Sequence, residues 1–140
     1  MKVRDIMTRD VITVSPDTGI QNVARLMSEH DIGAVLVSEN KKVLGLITDR
    51  DIIIRAIAEG KNPSTTKAKE VMTTDITVVT PDTDVHEAAD IMSDQQIKRL
   101  PVVENGKLTG ILALGDLAIE KIHIDEAGNA LSGISQGIQH

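Results

Sequence analysis

The segment with the most evident chemical potential is residues 45–51, with the sequence GLITDRD, which the pattern predicts as a strand ending where a helix begins. The free N–H groups of the first helical turn, the Thr48 hydroxyl and the Arg50 guanidinium could all meet an anion. The Asp51 carboxylate could accept hydrogen bonds from two vicinal hydroxyls, such as those of a ribose. The same spacing also fits a plain capping box, and spacing alone favours that cap because such caps are common.

This segment occurs twice, because the chain consists of two copies of one unit of 65 residues. Aligning residues 3–57 with residues 68–122 gives 19 identities in 55 positions without a gap, and Gly45–Asp51 falls on Gly110–Asp116. Two unrelated stretches would share about three or four residues by chance. Duplicated units stack so that each covers the apolar face its neighbour cannot bury alone. We therefore expect two related clefts between the copies, and we expect function there.

Both copies predict the order strand, helix, strand, strand, helix. In the first copy the predicted strands are 12–14, 34–37 and 43–48, and the helices start near Thr18 and run from about Arg50 to Glu59. In the second copy the predicted strands are 77–79, 100–103 and 108–113, and the helices start near Thr83 and run from about Asp116 to Ile122. The fold class is therefore α+β, with two β-α-β-β-α repeats packed around a pseudo-twofold axis. The expected divisions are repeat 1 at 1–63, repeat 2 at 64–125 and a C-terminal tail at 126–140.

Local signals support these elements. Thr18 and Gln21 have the spacing of a capping box, and Asn105-Gly106 between two apolar runs is a strong hairpin signal. The first helix of each copy carries apolar residues at helical spacing, which we expect to be buried: Ile20, Val23, Ala24 and Met27, matched by Val85, Ala88, Ala89 and Met92.

The second helix of each copy is too apolar for a helix with only one buried face. In the first copy the apolar positions are Ile52, Ile53, Ile54, Ala56, Ile57 and Ala58. A helix that is apolar on more than one face is usually buried on more than one face, so a subunit interface and a homodimer are expected. The tail, with Leu131, Ile134 and Ile138, could dock on the body or on a partner.

Composition excludes several classes of function. The net charge of −6, the pI near 5.1 and the lack of a long basic run disfavour binding to nucleic acid. With no cysteine, thiol catalysis and thiolate metal sites are excluded, and the four histidines lack the spacing of metal ligands. No nucleophile or acid–base pair stands out, so we do not expect an enzyme. No apolar run reaches 18 residues and no signal peptide opens the chain, so we expect a cytoplasmic protein without membrane contact.

Four short motifs, present in order in both copies, resemble those of the cystathionine-β-synthase (CBS) domain in its tandem pair, the Bateman module. They are Asp5-Ile6-Met7-Thr8, Thr13-Val14-Ser15-Pro16, Leu100-Pro101-Val102-Val103 and Gly45 with Thr48-Asp49-Arg50-Asp51. The resemblance covers nearly the whole chain and is nearest to small bacterial proteins that carry a CBS pair without a catalytic domain. The order of elements derived above is also that of the family.

The resemblance implies binding of adenosine compounds (AMP, ADP, ATP, sometimes S-adenosylmethionine or NADH) in the clefts between the copies, with no cofactor required. Carried over by position, Asp51 would hold the ribose hydroxyls, Thr48 would contact ribose or phosphate, and Thr13 with the backbone of Ala34 and Val35 would flank the base. The related cleft would use Thr77, Leu100 and Asp116, with Lys98 or Arg99 toward phosphate.

The copies depart from the family pattern in opposite ways. The second has Ala113 where the first has Thr48, and the first has Gly33-Ala34 where the second has Lys98-Arg99. We therefore predict that the Thr48 and Asp51 cleft is the better ribose site, with phosphate met by Arg50 or by a basic residue of the other copy. The leading function is a non-catalytic regulatory or sensor module, whose possible partner is an effector protein that the sequence does not identify. The alternative is a structural or interaction protein with vestigial clefts that acts through dimerisation.

Overall fold

The computed structural model describes residues 1–119, and the side chains of residues 1–117. The predicted end of the last helix at Ile122 and the tail at 126–140 lie outside the described residues. The chain forms two compact units. One is the continuous stretch Ile12–Ile76, and the other combines Met1–Val11 with the chain from Thr77 onward.

The unit of residues 12–76 is built on a three-stranded sheet. Its elements are β1 (Thr13–Val14), α1 (Ile20–His30), β2 (Ala34–Glu39), β3 (Lys42–Thr48), α2 (Asp49–Ile52), a π-helix (Ile53–Ile57) and α3 (Ala68–Val71). β1 pairs with β2 in parallel, and β2 pairs with β3 in an antiparallel hairpin. Asn40 and Lys41 turn this hairpin with φ of 53° and 66°, as a two-residue turn that follows the twist of the strands requires.

The other unit repeats this arrangement with one strand fewer. Its elements are a 3₁₀ helix (Val3–Asp5), α4 (Val85–Gln95), β4 (Arg99–Glu104), β5 (Lys107–Ala113) and α5 (Leu114–Ile119). Asn105 and Gly106 turn the hairpin, both at positive φ, as predicted. The α+β class and the strand, helix, strand, strand, helix order of the first copy are confirmed.

The strand predicted at 77–79 is wrong in its length. It is reduced to a single parallel bridge between Val79 and Val102, in which Val79 N–H donates to Pro101 O at 3.0 Å. The first copy has Leu36 at the position of Pro101. Because proline has no N–H, Pro101 cannot donate the next hydrogen bond along the ladder, back to Thr77.

Each unit contains the lead-in segment of the other sequence repeat, where the lead-in segments are residues 3–8 and 68–73. Ala68 N–H donates to Thr18 O at 2.8 Å, and Thr73 forms an antiparallel bridge with Leu46 of β3. The unit that contains the second repeat holds residues 3–8 through the equivalent bonds, including Val3 N–H to Thr83 O at 2.8 Å. The compact units therefore divide the chain at different residues from the predicted repeats 1–63 and 64–125.

Two predictions for α1 are wrong. Thr18 does not cap this helix, because α1 begins at Ile20 with Gly19 as its N-cap, and the Thr18 hydroxyl accepts instead from Ser15 N–H at 3.2 Å. Ala24 is exposed, whereas its counterpart Ala89 in α4 is fully buried. The other residues predicted for the buried face are buried, namely Ile20, Val23, Met27, Val85, Ala88 and Met92.

Each unit has an aliphatic core of its own. In residues 12–76 the core includes Ile20, Val35, Val37, Ile47 and, from the exchanged lead-in segment, Ala68 and Val71. In the other unit it includes Val3, Val85, Met92, Leu100, Leu112 and Leu117. Among residues 1–119, no helix has the length and apolar character needed to cross a membrane.

Candidate functional site

Three strand ends meet at one end of the sheet in residues 12–76. Because β1 and β2 are parallel and β3 is antiparallel to β2, the sheet places the starts of β1 and β2 beside the end of β3. Ala34 pairs directly with Thr48, and Thr13 pairs with Leu36, two residues further along β2. α2 begins at Asp49, immediately after this edge. We call this place, formed by Thr13, Ala34 and residues 48–51, the first corner.

Thr48 and Asp51 form a complete capping box in the first corner. Asp51 N–H donates to Thr48 Oγ1 at 3.1 Å, and Thr48 N–H donates to Asp51 Oδ2 at 2.9 Å. The capping interpretation of this motif is therefore realised. The Asp51 carboxylate can still accept further hydrogen bonds, because a carboxylate has about four acceptor positions and the capping box uses one of them on Oδ2. The Asp51 side chain is 15% exposed.

Asp49 adds a second carboxylate to the first corner. Its N–H donates to Gly33 O at 3.0 Å, and its Oδ1 accepts from Arg50 N–H at 2.8 Å. A Cβ built on Gly33 would lie 3.2 Å from Asp49 Oδ2, so this carboxylate stands against the glycine. Asp49 and Arg50 are both exposed. The surface of the first corner therefore carries two acids and one arginine.

The other unit has an equivalent second corner, formed by residues 98–100 and 113–116. Ala113 N–H donates to Asp116 Oδ2 at 2.8 Å, which reproduces the acid's position in the first corner. Leu114 N–H donates to Lys98 O at 2.8 Å, as Asp49 does to Gly33. Arg99 pairs with Ala113 in the hairpin.

The two corners differ in charge. Asp49 of the first corner is replaced by Leu114 in the second, and the second adds Lys98 and Arg99. Counting Asp51 and Arg50 in the first corner and Asp116 in the second, the formal charge is −1 in the first and +1 in the second, and Arg55 beside Asp51 brings the first to 0. An anionic group is therefore favoured at the second corner.

The remaining predicted site residues are less well placed to contact a ligand through their side chains. Val35 and Leu100 are 1% and 0% exposed, so their side chains belong to the cores and only their backbone is available to a ligand. Thr13 is exposed at the edge of the sheet. The Thr77 hydroxyl donates to Gln95 Oε1 at the end of α4.

Arg55 is the residue of this site that the sequence analysis missed. Its Nε lies 3.9 Å from Asp51 Oδ1, and its Nη1 donates to Val71 O and Met72 O, both at 3.1 Å. The spacing of four residues from Asp51 could have predicted the ion pair. The bonds to α3 join residues 16 and 17 positions apart and had no local signal.

No group of three or more histidine, aspartate or glutamate side chains suited to a metal ion occurs within residues 1–117.

Comparison with known proteins identifies the family. The family model of the CBS domain matches residues 3–57 and 68–122. The CBS domain-containing protein YhcV of Bacillus subtilis is 43% identical over 133 residues, covering 95% of this chain and 94% of that protein.

Two solved structures are also similar. That of Hypoxic Response Protein I, which has two coordinated zinc ions, has a TM-score of 0.80 at 33% identity, covering 86% of this chain and 98% of that one. That of the CBS domain protein TA0289 from Thermoplasma acidophilum has a TM-score of 0.81 at 28% identity, covering 95% and 75%. A pair of such domains is typical of a regulatory, non-catalytic module. With both repeats matched over most of its length, the chain belongs to the CBS domain family.

Proposed function

We propose that the chain is a regulatory module that binds adenosine-containing ligands of the AMP, ADP and ATP class at its two corners. One observation carries the proposal. Asp51 and Asp116 are held in the same way, each by a backbone N–H three residues earlier, at 2.9 and 2.8 Å to Oδ2. In each case Oδ1 keeps acceptor capacity for the vicinal hydroxyls of a ribose.

In the first corner Asp51 binds the ribose hydroxyls, and the Thr48 hydroxyl, which already accepts from Asp51 N–H, donates to the ligand. Thr13 and the backbone of Ala34 and Val35 flank the base. Because the chain has no Phe, Tyr or Trp, the base packs on aliphatic side chains and backbone rather than on one of these rings. Arg50 is the cation of this corner that can reach a phosphate.

In the second corner Asp116 binds the ribose, Lys98 and Arg99 bind the phosphate, and the backbone of Leu100 lies beside the base with Thr77. Ala113 removes one hydroxyl, which costs about 1 kcal/mol, or several-fold in affinity. For ligands with more phosphate groups, the positive charge of this corner compensates for the affinity lost with the hydroxyl. We therefore propose that the first corner prefers the nucleoside part of the ligand and the second corner its phosphates.

Regulation follows from linkage. A ligand shifts a conformational equilibrium only by the difference in its affinity for the two states. At a hundred times its dissociation constant, a ligand that binds only the folded chain stabilises it by about 2.7 kcal/mol. A thermal-shift measurement with an external dye detects a change of that size.

We also propose a homodimer, with the π-helix at its interface. Ile53, Ile54 and Ile57 are 60%, 44% and 53% exposed on one short segment. Exposing three neighbouring isoleucines to water is unfavourable in free energy, and in the homodimer a second copy of the chain covers them. The cytoplasmic location, without nucleic acid or membrane as partner, stays a prediction.

The alternative function is a structural protein that acts through this dimerisation alone. It is favoured by the capping box, since Thr48 and Asp51 already serve a structural purpose, and by the hydroxyl missing at Ala113. A flat thermal-shift response to AMP, ATP, NADH and S-adenosylmethionine would support this alternative and contradict the ligand proposal.

The deciding experiment is isothermal titration of AMP and ATP into the wild type, Asp51→Ala and Asp51→Asn. We expect Asp51→Ala to weaken binding at the first corner by about ten- to a hundredfold, as loss of hydrogen bonds to a charged group does. Asp51→Asn keeps an acceptor for Thr48 N–H, so it separates the loss of charge from the loss of the cap. Unchanged binding in both variants would exclude Asp51 as a ligand residue.

A further inference from the structure

We infer that Arg55 is a positioning residue that couples Asp51 of the first corner to the lead-in segment 68–73. The ligand-dependent part of this inference rests on the proposed function. The link itself does not, because it is made of contacts within the unit of residues 12–76.

The first half of the link is the end of α3. The last carbonyls of a helix have no partner within it, and an arginine is well suited to satisfy them. Arg55 Nη1 donates to Val71 O and Met72 O at 3.1 Å each, so one nitrogen closes the C-terminal end of α3. Because the two acceptors belong to consecutive residues, the guanidinium position depends on the local backbone shape of the lead-in segment.

The second half of the link is the acid. The same guanidinium brings Nε to 3.9 Å from Asp51 Oδ1, the carboxylate oxygen that the capping box leaves available. A contact at that distance is a weak ion pair, and Arg55 is about half exposed. Its importance is positional, because it orients the oxygen that the proposed ribose hydroxyls would meet.

The π-helix is what brings Arg55 to both groups. Ala58 N–H donates to Ile53 O at 2.8 Å and Lys61 N–H donates to Ala56 O at 2.9 Å, each five residues back. Such a π segment is rare and often lies at functional sites. Arg55 is the central residue of this segment, one turn beyond Asp51.

The lead-in segment is itself tied to the first corner. Val71 is fully buried, and Thr73 exchanges two hydrogen bonds with Leu46, at 3.0 and 2.9 Å, on the strand that ends at Thr48. A ligand that orders Asp51 and Arg55 would already have lost the conformational entropy of the Arg55 side chain. Forming the hydrogen bonds from Arg55 to the end of α3 would then cost less entropy. The expected coupling is positive, so that ligand binding tightens the lead-in segment.

Within the part of the chain that the structure describes, this link occurs at the first corner. The residue that corresponds to Arg55 in the second repeat is Glu120, which has the opposite charge and lies outside the described residues. An acid cannot cap carbonyls. The sequence therefore predicts no equivalent link through this position in the second repeat.

The ligand-free test is a double-mutant cycle on hydrogen exchange at the amides of Met72 and Thr73. The variants are D51N, R55Q and their combination, with R25Q on the exposed face of α1 as a charge-matched control. We expect D51N to speed exchange about fivefold when Arg55 is present and to add nothing in the R55Q background, whereas R25Q has no effect. An equal effect of D51N in both backgrounds would overturn the link. If R55Q proves too unstable, R55K replaces it, since lysine keeps the charge but not the two-site geometry.

The ligand test adds AMP to the same proteins. In the wild type AMP should slow exchange at Met72 and Thr73, and in R55Q, still folded by circular dichroism, it should bind without slowing that exchange. Slowing that persists fully in R55Q would overturn the coupling, because a merely structural arginine would lower stability without separating binding from protection. If AMP fails to bind the wild type, the proposed function fails, and the ligand-free cycle still decides the role of Arg55.

Discussion

Gly45 lies so close to Met72 that a Cβ built on it would be 2.9 Å from Met72 Sδ and 2.7 Å from the neighbouring Thr73 O. Gly110 has the same relationship with Met7, at 2.8 Å from its Sδ. The glycine of each repeat therefore opens the space in which a lead-in segment pairs with the hairpin. The methionines of the lead-in segments cover these glycines, which gives both methionines a structural role.

Replacing Gly45 by alanine should destabilise the protein by about 1–3 kcal/mol, because the added methyl group meets backbone that cannot move without breaking the Leu46 and Thr73 bridge. Urea denaturation followed by circular dichroism measures the change. Gly115→Ala is the matched control, since nothing lies within 4 Å of its Cβ position and alanine favours a helix by about 0.5–1 kcal/mol. Equal effects of the two variants would contradict the close contact.

A fragment of residues 12–76 should fold better than a fragment of residues 1–65, although only the second follows the sequence repeat. The first fragment contains α3, whose Ala68 and Val71 are fully buried in the core of that unit. Both fragments are of marginal size, so the missing apolar area decides the outcome. Amide dispersion in NMR spectra and cooperativity of thermal unfolding would compare them. Folding of 1–65 alone would show that the exchanged lead-in segment is dispensable.

Acid should weaken both exchanged lead-in segments. The side-chain hydrogen bond from Lys69, with help from the nearby Lys67, lowers the pKa of Asp17 below its usual 3.8, and Arg4 with Lys2 lowers the pKa of Asp82 likewise. A carboxyl with a depressed folded-state pKa stabilises the fold above its unfolded pKa.

That contribution is therefore complete above about pH 5 and is lost as the pH falls from about 4 through the folded-state value. Both acids are exposed, so the loss should be small and should diminish in high salt. Melting temperatures between pH 2.5 and 7, at low salt and at 0.5 M salt, check this for the wild type and Asp17→Asn. An Asp17→Asn variant with the full acid dependence of the wild type would rule out Asp17 as a contributor.

Replacing exposed isoleucines of the π-helix by charged residues should dissociate the proposed dimer. Ile54→Glu with Ile57→Glu places two like charges in an interface that excludes water, and native mass spectrometry should then show monomers. Ala24→Glu, on the exposed side of α1, should leave the oligomeric state unchanged. A wild type that is monomeric at micromolar concentration would contradict the assignment of this surface.

Local patterns predicted the hairpins and the capping of α2 correctly because their causes are local. Asn105-Gly106 permits the two positive φ values of its turn, and Thr48 and Asp51 satisfy each other's backbone N–H groups across three residues. The strand at 77–79 failed for a cause that was present in the sequence, since Pro101 removes a donor. To use that signal, one would have had to know which strand pairs with the strand that contains Pro101.

The placement of Thr18 and Ala24 depended on where α1 begins and on what covers it, which hydrophobic spacing alone does not specify. In the sequence Asp49 was only one residue of a matched motif, and its position against Gly33 follows from the hydrogen bond that joins the two. Arg55 could be paired with Asp51 by spacing, but its two bonds to the end of α3 depend on the folded lead-in segment.

The sequence by itself determined the duplication, the order of elements and the equivalence of Asp51 with Asp116, because these depend on residue types at fixed separations along the chain. Only the tertiary structure decided that residues 68–73 complete the unit of residues 12–76, and that residues 3–8 complete the other. Because the two lead-in segments have similar sequences, the pattern of either one is compatible with pairing to either sheet. The choice between them depends on chain connectivity and on which core buries their apolar side chains, and neither is encoded in a local pattern.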